Sequence, residues 1–243
     1  MSAGPVVRVW PELGASGAAR GAERGDVVVI VDALRASVTI TAGLRAGAER
    51  VLPVLTVEEA EGHLGDPRYR LAGERGGAKL PQFHFGNSPT EILAHADEVG
   101  RRVLVVTTSN GTRCVNAALA GAAAVLVGST VNASAVAGAG WELAQEHGAD
   151  IALVAAGLHN RPASEDTFAQ GLLAERLTDR GAVPALPVPR VREADSLRIF
   201  LDSAAAGRLT RLGYVEDVRF CAQIDVWDTV AVYRDDGFYA LSR

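Results

Sequence analysis

The sequence predicts an α/β fold built on a mixed, largely parallel central sheet. Three observations carry this expectation. Short β-branched runs alternate with Ala-rich stretches of helical composition, as βαβ units require. Val27–Val31 reads VVVIV, a continuous apolar run that suits a strand covered on both faces. Residues 229–233 and 238–241 read as strands around Asp236-Gly237, a hairpin signal that would add antiparallel pairs.

The elements follow in order. Residues 36–46 have helical composition and lead to Gly47, a fitting stop. Residues 50–55 read as the next strand. Residues 56–63 read as a helix, with Thr56 as N-cap and Glu59 closing a capping box. Ser88, Pro89 and Glu91 mark another helix start, Ser88 being the cap. Residues 102–106, 124–127 and 150–155 are further strands, and 112–119, 133–146 and 165–180 further helices. Residues 192–211 read as one long helix, with Gly207 as its candidate interruption, and 218–224 as a strand. The Pro-rich segment 181–190 (GAVPALPVPR) is the best linker candidate, yet no shift in composition surrounds it. One domain over 1–243 is expected, with 191–243 as a C-terminal subregion in the alternative.

Composition narrows the function. The chain has 243 residues, 24 Lys+Arg against 29 Asp+Glu, a net charge of −5 and 48% hydrophobic residues, which excludes disorder. A mildly acidic chain with 5% aromatics lacks the basic field and stacking platforms of a nucleic-acid binder. Nearly all positive charge is arginine, Lys79 being the only lysine, and a GC-rich coding bias accounts for most of it. Cys114 and Cys221 stand far apart and suit two buried thiols in a reducing compartment. Residues 1–10 carry no signal-peptide pattern, and no apolar stretch is long enough for a bilayer. The chain is expected to be soluble and cytoplasmic, with no membrane partner. An Ala-rich helix at 133–146 suits a dimer interface or a tight core, which leaves a homo-oligomer open.

In α/β sheets ligands bind beyond the carboxyl ends of the strands. After Val27–Val31 comes Asp32-Ala33-Leu34-Arg35, where an aspartate beside a buried strand needs solvation, a partner or a metal. Asp32 could instead cap the following helix. Residues 73–89 (GERGGAKLPQFHFGNSP) form a long glycine-rich polar stretch with Glu74, Arg75, Lys79, Asn87 and Ser88, read as a functional loop. Residues 107–113 (TTSNGTR) combine hydroxyls, an amide, Gly111 and a helix start, a ready oxyanion site or a plain cap. Arg113 in that first turn opposes the helix dipole, which points to an anionic partner. Residues 156–166 (AGLHNRPASED) bring Glu165 and Asp166, with Ser164 as a cap; the pair could complete an oxygen-rich Mg²⁺ site with Asp32 and Glu74. Asn132-Ala133-Ser134 is a cap rather than a ligand group. The five histidines show no zinc spacing; His84 and His159 lie in the candidate loops as weak proton-transfer groups. GxSxG, GxGxxG and Walker A patterns are absent. Carboxylates for a hard dication, arginines for an anion and backbone donors point to a metal-assisted phosphoester site for a small anionic substrate.

The segments VVVIVDALRASVTI, AGERGGAKLPQFHFGNSP, TTSNGTR, NASAVA and SEDTFAQG, in this order, resemble the 2-phosphosulfolactate phosphatases. LTRLGYVEDVRFCAQID is similar to that family's ending, so the likeness spans residues 26–225. The resemblance implies a three-layer α/β/α fold and a Mg²⁺-dependent phosphatase. Its reaction would convert (2R)-phospho-3-sulfolactate to 3-sulfolactate and phosphate, a step in coenzyme M biosynthesis. It marks Asp32, Arg35, Glu74, Arg75, Asn87, Ser88, Asn110, Thr112, Arg113, Glu165 and Asp166 as the site; within it we expect catalysis from Asp32, Arg35, Glu74, Arg75 and Arg113, and substrate contacts at Asn87, Ser88, Asn110, Gly111 and Thr112. Asp32, Glu74 and one or both of Glu165 and Asp166 would hold the metal. The three arginines would bind the phosphate, sulfonate and carboxylate. The chain departs from the family pattern in reading DALRASVT for DVLRATTT, in Ser109, and in His84 where an aspartate is usual. The last change would bear on metal binding or substrate fit. Water attack is expected over an Asp32 nucleophile, because Leu34 breaks a D-x-D pair. The alternatives are another small acidic phosphoester and a non-catalytic anion-binding protein.

Overall fold

In the computed structural model, which describes residues 6–158 and 161–241, the apolar runs of the sequence become strands of one sheet. The chain runs β1 (Arg8–Leu13), α1 (Gly14–Arg24), β2 (Val27–Val31), α2 (Ala36–Arg45), β3 (Arg50–Pro53), α3 (Val57–Glu61), β4 (Tyr69–Arg75) and β5 (Ala78–Lys79). It continues through α4 (Pro89–Ala94), α5 (Ala96–Val99), β6 (Val103–Thr107), α6 (Gly111–Ala118), β7 (Ala124–Val127), α7 (Ala133–His147), β8 (Ile151–Ala155) and α8 (Ser164–Thr178). It ends with β9 (Val183–Pro184), α9 (Ser196–Leu201), α10 (Ala204–Arg211), α11 (Val215–Cys221), β10 (Ala231–Arg234) and β11 (Gly237–Ala240). All five residues of β2 are buried, as its uninterrupted Val/Ile composition requires.

The strand order is β5-β4-β6-β3-β11-β10-β7-β2-β8-β1-β9. β4, β6 and β3 pair in parallel, and so do β7, β2, β8, β1 and β9. The β10–β11 hairpin joins these blocks through antiparallel pairs on every side. The two parallel blocks therefore run in opposite senses. Neighbouring strands twist by roughly 20–25° each, so the steps from β6 to β2 accumulate well over a right angle. Residues at the carboxyl ends of strands from both blocks, β4 and β6 in one and β2 and β8 in the other, line one cavity. Helices α1, α6, α2 and α4 pack side by side as one layer and α7, α8 and α9 as the other, giving the expected α/β/α arrangement. No helix among the described residues is long and apolar enough to cross a membrane.

Several expectations are corrected. Residues 192–211 are not one helix: the chain breaks at Asp202-Ser203, where the Ser203 hydroxyl accepts the Ala206 N–H and starts α10. Residues 218–224 are not a strand but overlap α11, whose buried Asp217, Val218 and Cys221 follow helical spacing. The expected linker supplies β9, which pairs with β1. The glycine-rich stretch from Gly73 is not structureless, because it holds the end of β4 and all of β5. The hairpin turn lies one residue early, at Asp235-Asp236, with Asp235 in the left-handed region. The Thr56–Glu59 capping box and the Ser88 cap form as expected, whereas Ala163 rather than Ser164 occupies the cap position of α8.

Candidate active site

The cavity has two adjoining lobes of about 160 and 310 Å³, both lined by Asp32, Leu34, Asn110, Leu158, Ala205 and Arg208. Arg35, Glu74, Gly77, Asn87 and Ser109 line the smaller lobe, and Glu165 and Asp166 the larger.

Asp32 follows β2 directly and is buried. Its Oδ1 accepts the Ala36 N–H at the start of α2 at 3.2 Å. On its other side lies Gly111, the first residue of α6, whose N–H also reaches the carboxylate. Both helix N-termini thus direct positive partial charge at one carboxylate. The approach is so close that a Cβ at position 111 would stand 2.7 Å from the Ala36 Cβ and 2.9 Å from Asp32 Oδ2. Gly111→Ala is expected to destabilise the protein by about 1–3 kcal/mol through overpacking, with lost activity; urea unfolding and phosphate release check both.

Two further carboxylates act as staples. Glu74 accepts the Gly77 N–H at 2.6 Å and the Ser109 N–H at 2.8 Å, tying the β4–β5 turn to the β6–α6 loop. Asp166 accepts the Ala33 N–H at 2.7 Å and the Gly157 N–H at 2.8 Å, tying the β2–α2 loop to the β8–α8 loop. Each fixes two strand-end loops around Asp32. Glu165, in the first turn of α8, is buried and takes the Ser164 hydroxyl at 3.2 Å.

Arg35 is also buried, at 1% exposure. Its Nη1 meets Asp217 Oδ2 at 2.6 Å, its Nη2 donates to the Gly77 carbonyl at 3.0 Å, and its guanidinium lies 4.4 Å from the Tyr214 ring centre. The second Asp217 oxygen accepts the Ser88 hydroxyl and the Thr90 N–H. Ser88 therefore serves this network rather than lining the cavity. Thr112 likewise turns inward, its hydroxyl donating to the Thr108 carbonyl. Arg75 and Arg113 do not line the cavity. Arg75 donates to Thr107 Oγ1 and the Glu74 carbonyl, while Arg113 is exposed on α6 and forms no ion pair among the described residues. His84 stands outside the cavity and accepts the Leu71 N–H at 3.1 Å, a role an aspartate could fill equally. Its departure from the family pattern thus does not touch the site. His159 lies outside the described residues. Asp217 and Arg208 were not singled out from the sequence. The signals for them were the Glu216-Asp217 pair at the start of 215–221 and an arginine within the Ala-rich stretch 204–211.

Burial raises the Asp32 carboxyl from 3.8 to about 6, and the charges of Glu74 and Glu165 add to the rise. Burial, with Asp32 and Glu165 nearby, pushes Asp166 well above the usual carboxylate range. Between the unfolded and folded values the native state binds more protons, so stability falls as pH rises through this window. For Asp32 the change is on the order of 3 kcal/mol. Metal-free protein is expected to melt progressively lower between about pH 4 and pH 6–7, and Asp32→Asn to flatten that decline, as calorimetric scans across pH would show.

The donors suit a hard dication. Four carboxylates line one cavity, where Asp32 and Asp166 hold their protons more tightly than usual, and the buried Asn87 Oδ1 has no hydrogen-bond partner. Among the described residues no three His, Cys, Asp or Glu side chains stand together so that they could hold a metal ion by themselves. Mg²⁺ does not need such a group, since it keeps several waters and binds through one or two carboxylates plus phosphate oxygens.

A twisted α/β sheet whose strand ends and helix N-termini surround a small, acid-lined cavity defines an α/β enzyme acting on small anions. Comparison with known proteins makes this specific. The chain belongs to the 2-phosphosulpholactate phosphatase family, whose model matches residues 17–236. It is 40% identical to a probable 2-phosphosulfolactate phosphatase of Thermus thermophilus, over 86% of this chain and 88% of that protein. It is 38% identical to the 2-phosphosulfolactate phosphatase of Methanothermobacter thermautotrophicus, over 88% and 89% respectively. The corresponding enzyme of Methanocaldococcus jannaschii is 33% identical over 87% and 91%.

Proposed function

We propose that this chain is a phosphoric monoester hydrolase that converts (2R)-phospho-3-sulfolactate to 3-sulfolactate and inorganic phosphate, with Mg²⁺ as its metal. The reading is carried by Asp32, a buried carboxylate between two helix N-termini in an acid-lined cavity, in a chain whose relatives bear that enzyme's name. Asp32, with one of Glu165 and Glu74 and with Asn87 Oδ1, would supply the oxygens that hold the metal. When bound, it would neutralise charge on the phosphoryl oxygens. Asp166 and Glu74 hold the four loops in place, so the site needs little rearrangement when the substrate arrives. Leu34, Leu158, Ala205 and Leu209 supply apolar wall that keeps bulk water away from the reacting group. Water is the proposed nucleophile: its oxygen bonds to phosphorus, the ester P–O bond breaks, and a proton passes to the leaving alkoxide. Leu34 stands where a covalent aspartyl mechanism would want its second acid.

The buried free thiols Cys114 and Cys221 suit a reducing cytoplasm, and the reaction fits a coenzyme M type of biosynthesis. The test is phosphate release from phosphosulfolactate with Mg²⁺ and after chelation with EDTA. Activity that EDTA abolishes and Mg²⁺ restores is the expected result. Turnover untouched by EDTA would remove the metal from this reading, and release only from other small phosphoesters would replace the substrate.

A further inference from the structure

The cavity holds more acid than base. Its lining includes four carboxylates but two guanidinium groups, those of Arg35 and Arg208. Arg35 is already matched by Asp217 and Gly77. Arg208 forms no ion pair among the described residues, and its buried Nε has no hydrogen-bond partner. Leaving a donor buried and unmatched is costly unless a ligand completes it. Arg208 projects from α10 and lines both lobes, so it sits where a molecule spanning them would pass. The fold makes room for it. Gly77, at φ 91°, lies beneath α10, and a Cβ there would stand 3.5 Å from Arg208 Nε and 3.3 Å from Leu212 Cδ1.

We infer that Arg208 binds the substrate's sulfonate and so sets the preference for sulfonated over plain hydroxyacid phosphates. This rests on the function proposed above. Phosphate and the carboxylate on the ester carbon are good ligands for a hard cation held by the acids. A sulfonate is a weakly basic anion one carbon further away, and it needs a different partner. A planar guanidinium fork matches two of its oxygens. The residue lies outside the motifs around Asp32, Glu74, Asn110 and Glu165, on a helix that the other strand-end loops do not share.

The test compares 3-sulfolactate with lactate in calorimetric titrations of the Mg²⁺-loaded protein, for wild type, Arg208→Gln and Arg208→Lys. Arg208→Gln is expected to weaken sulfolactate binding about 10- to 100-fold and lactate binding far less. Arg208→Lys, which keeps the charge and loses the fork, is expected to fall between. In turnover, Arg208→Gln should raise KM for phosphosulfolactate far more than it lowers kcat, and far more than it raises KM for phospholactate. Equal losses for both ligands, unchanged sulfolactate binding in Arg208→Gln, or a wild type that binds no sulfolactate would each overturn the inference. A wild type that binds sulfolactate in an Arg208-dependent way yet hydrolyses no phosphoester would sink the proposed reaction and leave Arg208 standing.

Discussion

Asp32→Asn is expected to release phosphate roughly 10²–10⁴-fold more slowly than wild type while melting at a higher temperature at neutral pH. The substitution keeps the size of the side chain and its contact with the Ala36 N–H. It removes a charge that is buried beside Glu74 and Glu165 and whose proton affinity is raised for that reason. Losing that charge relieves repulsion in the folded protein, so stability rises as function falls. The paired outcome separates a working carboxylate from a structural one. A merely structural Asp32 would lose stability on substitution and keep turnover within about tenfold of wild type. Incubation with a fluorometallate or a slow substrate adds a second check, since phosphate trapped on Asp32 would replace water attack with a covalent route.

Asp217→Ala is expected to cost about 3–5 kcal/mol, the largest stability loss foreseen for one substitution here. It strands Arg35, 1% exposed, without its counter-charge. It also strands the Ser88 hydroxyl and the Thr90 N–H. The same change frees the Arg35 guanidinium from its place beneath Tyr214, so the cavity wall loosens with the core. Urea unfolding gives the free energy directly. A loss below about 1.5 kcal/mol, the worth of one ordinary hydrogen bond, would mean that solvent reaches the pair and that Arg35 is not held as described.

Much of the fold was legible because the strands with uninterrupted apolar runs are the buried central ones. Val27–Val31 and Ala124–Val127 match the structure residue for residue. β1 escaped notice because RVWPEL holds a proline and a glutamate. From Trp10 onward it pairs only with β8, and a strand open on one side tolerates proline. α1 escaped because GASGAARGAER reads as a poor helix. Its glycines answer to contact rather than propensity: a Cβ on Gly21 would stand 2.8 Å from the Ala152 Cβ. α11 was mistaken for a strand because Val218 and Phe220 favour extended structure locally, while its buried acid answers to an arginine 182 positions earlier. The acids of the site were legible from their places at strand ends. Of the arginines only Arg35 was, since a guanidinium at the end of a long side chain goes where its partner is, and sequence position does not reveal that. Arg75 and Arg113 sit in the right motifs and turn elsewhere, whereas Arg208 sits in no motif and reaches the cavity.

The hairpin that joins the two opposed strand blocks has a consequence for assembly. Ala231–Arg234 and Gly237–Ala240 are translated after both blocks, yet they fill the middle of the sheet. A nascent chain would carry two half-built cups with nothing to align their rims, and the cup that holds the reacting group would come into being only when this last ribbon zips between them. Such long-range closure is slow, so renatured protein should regain helix signal before it regains turnover, and simultaneous recovery of both would show that the halves find each other without the ribbon.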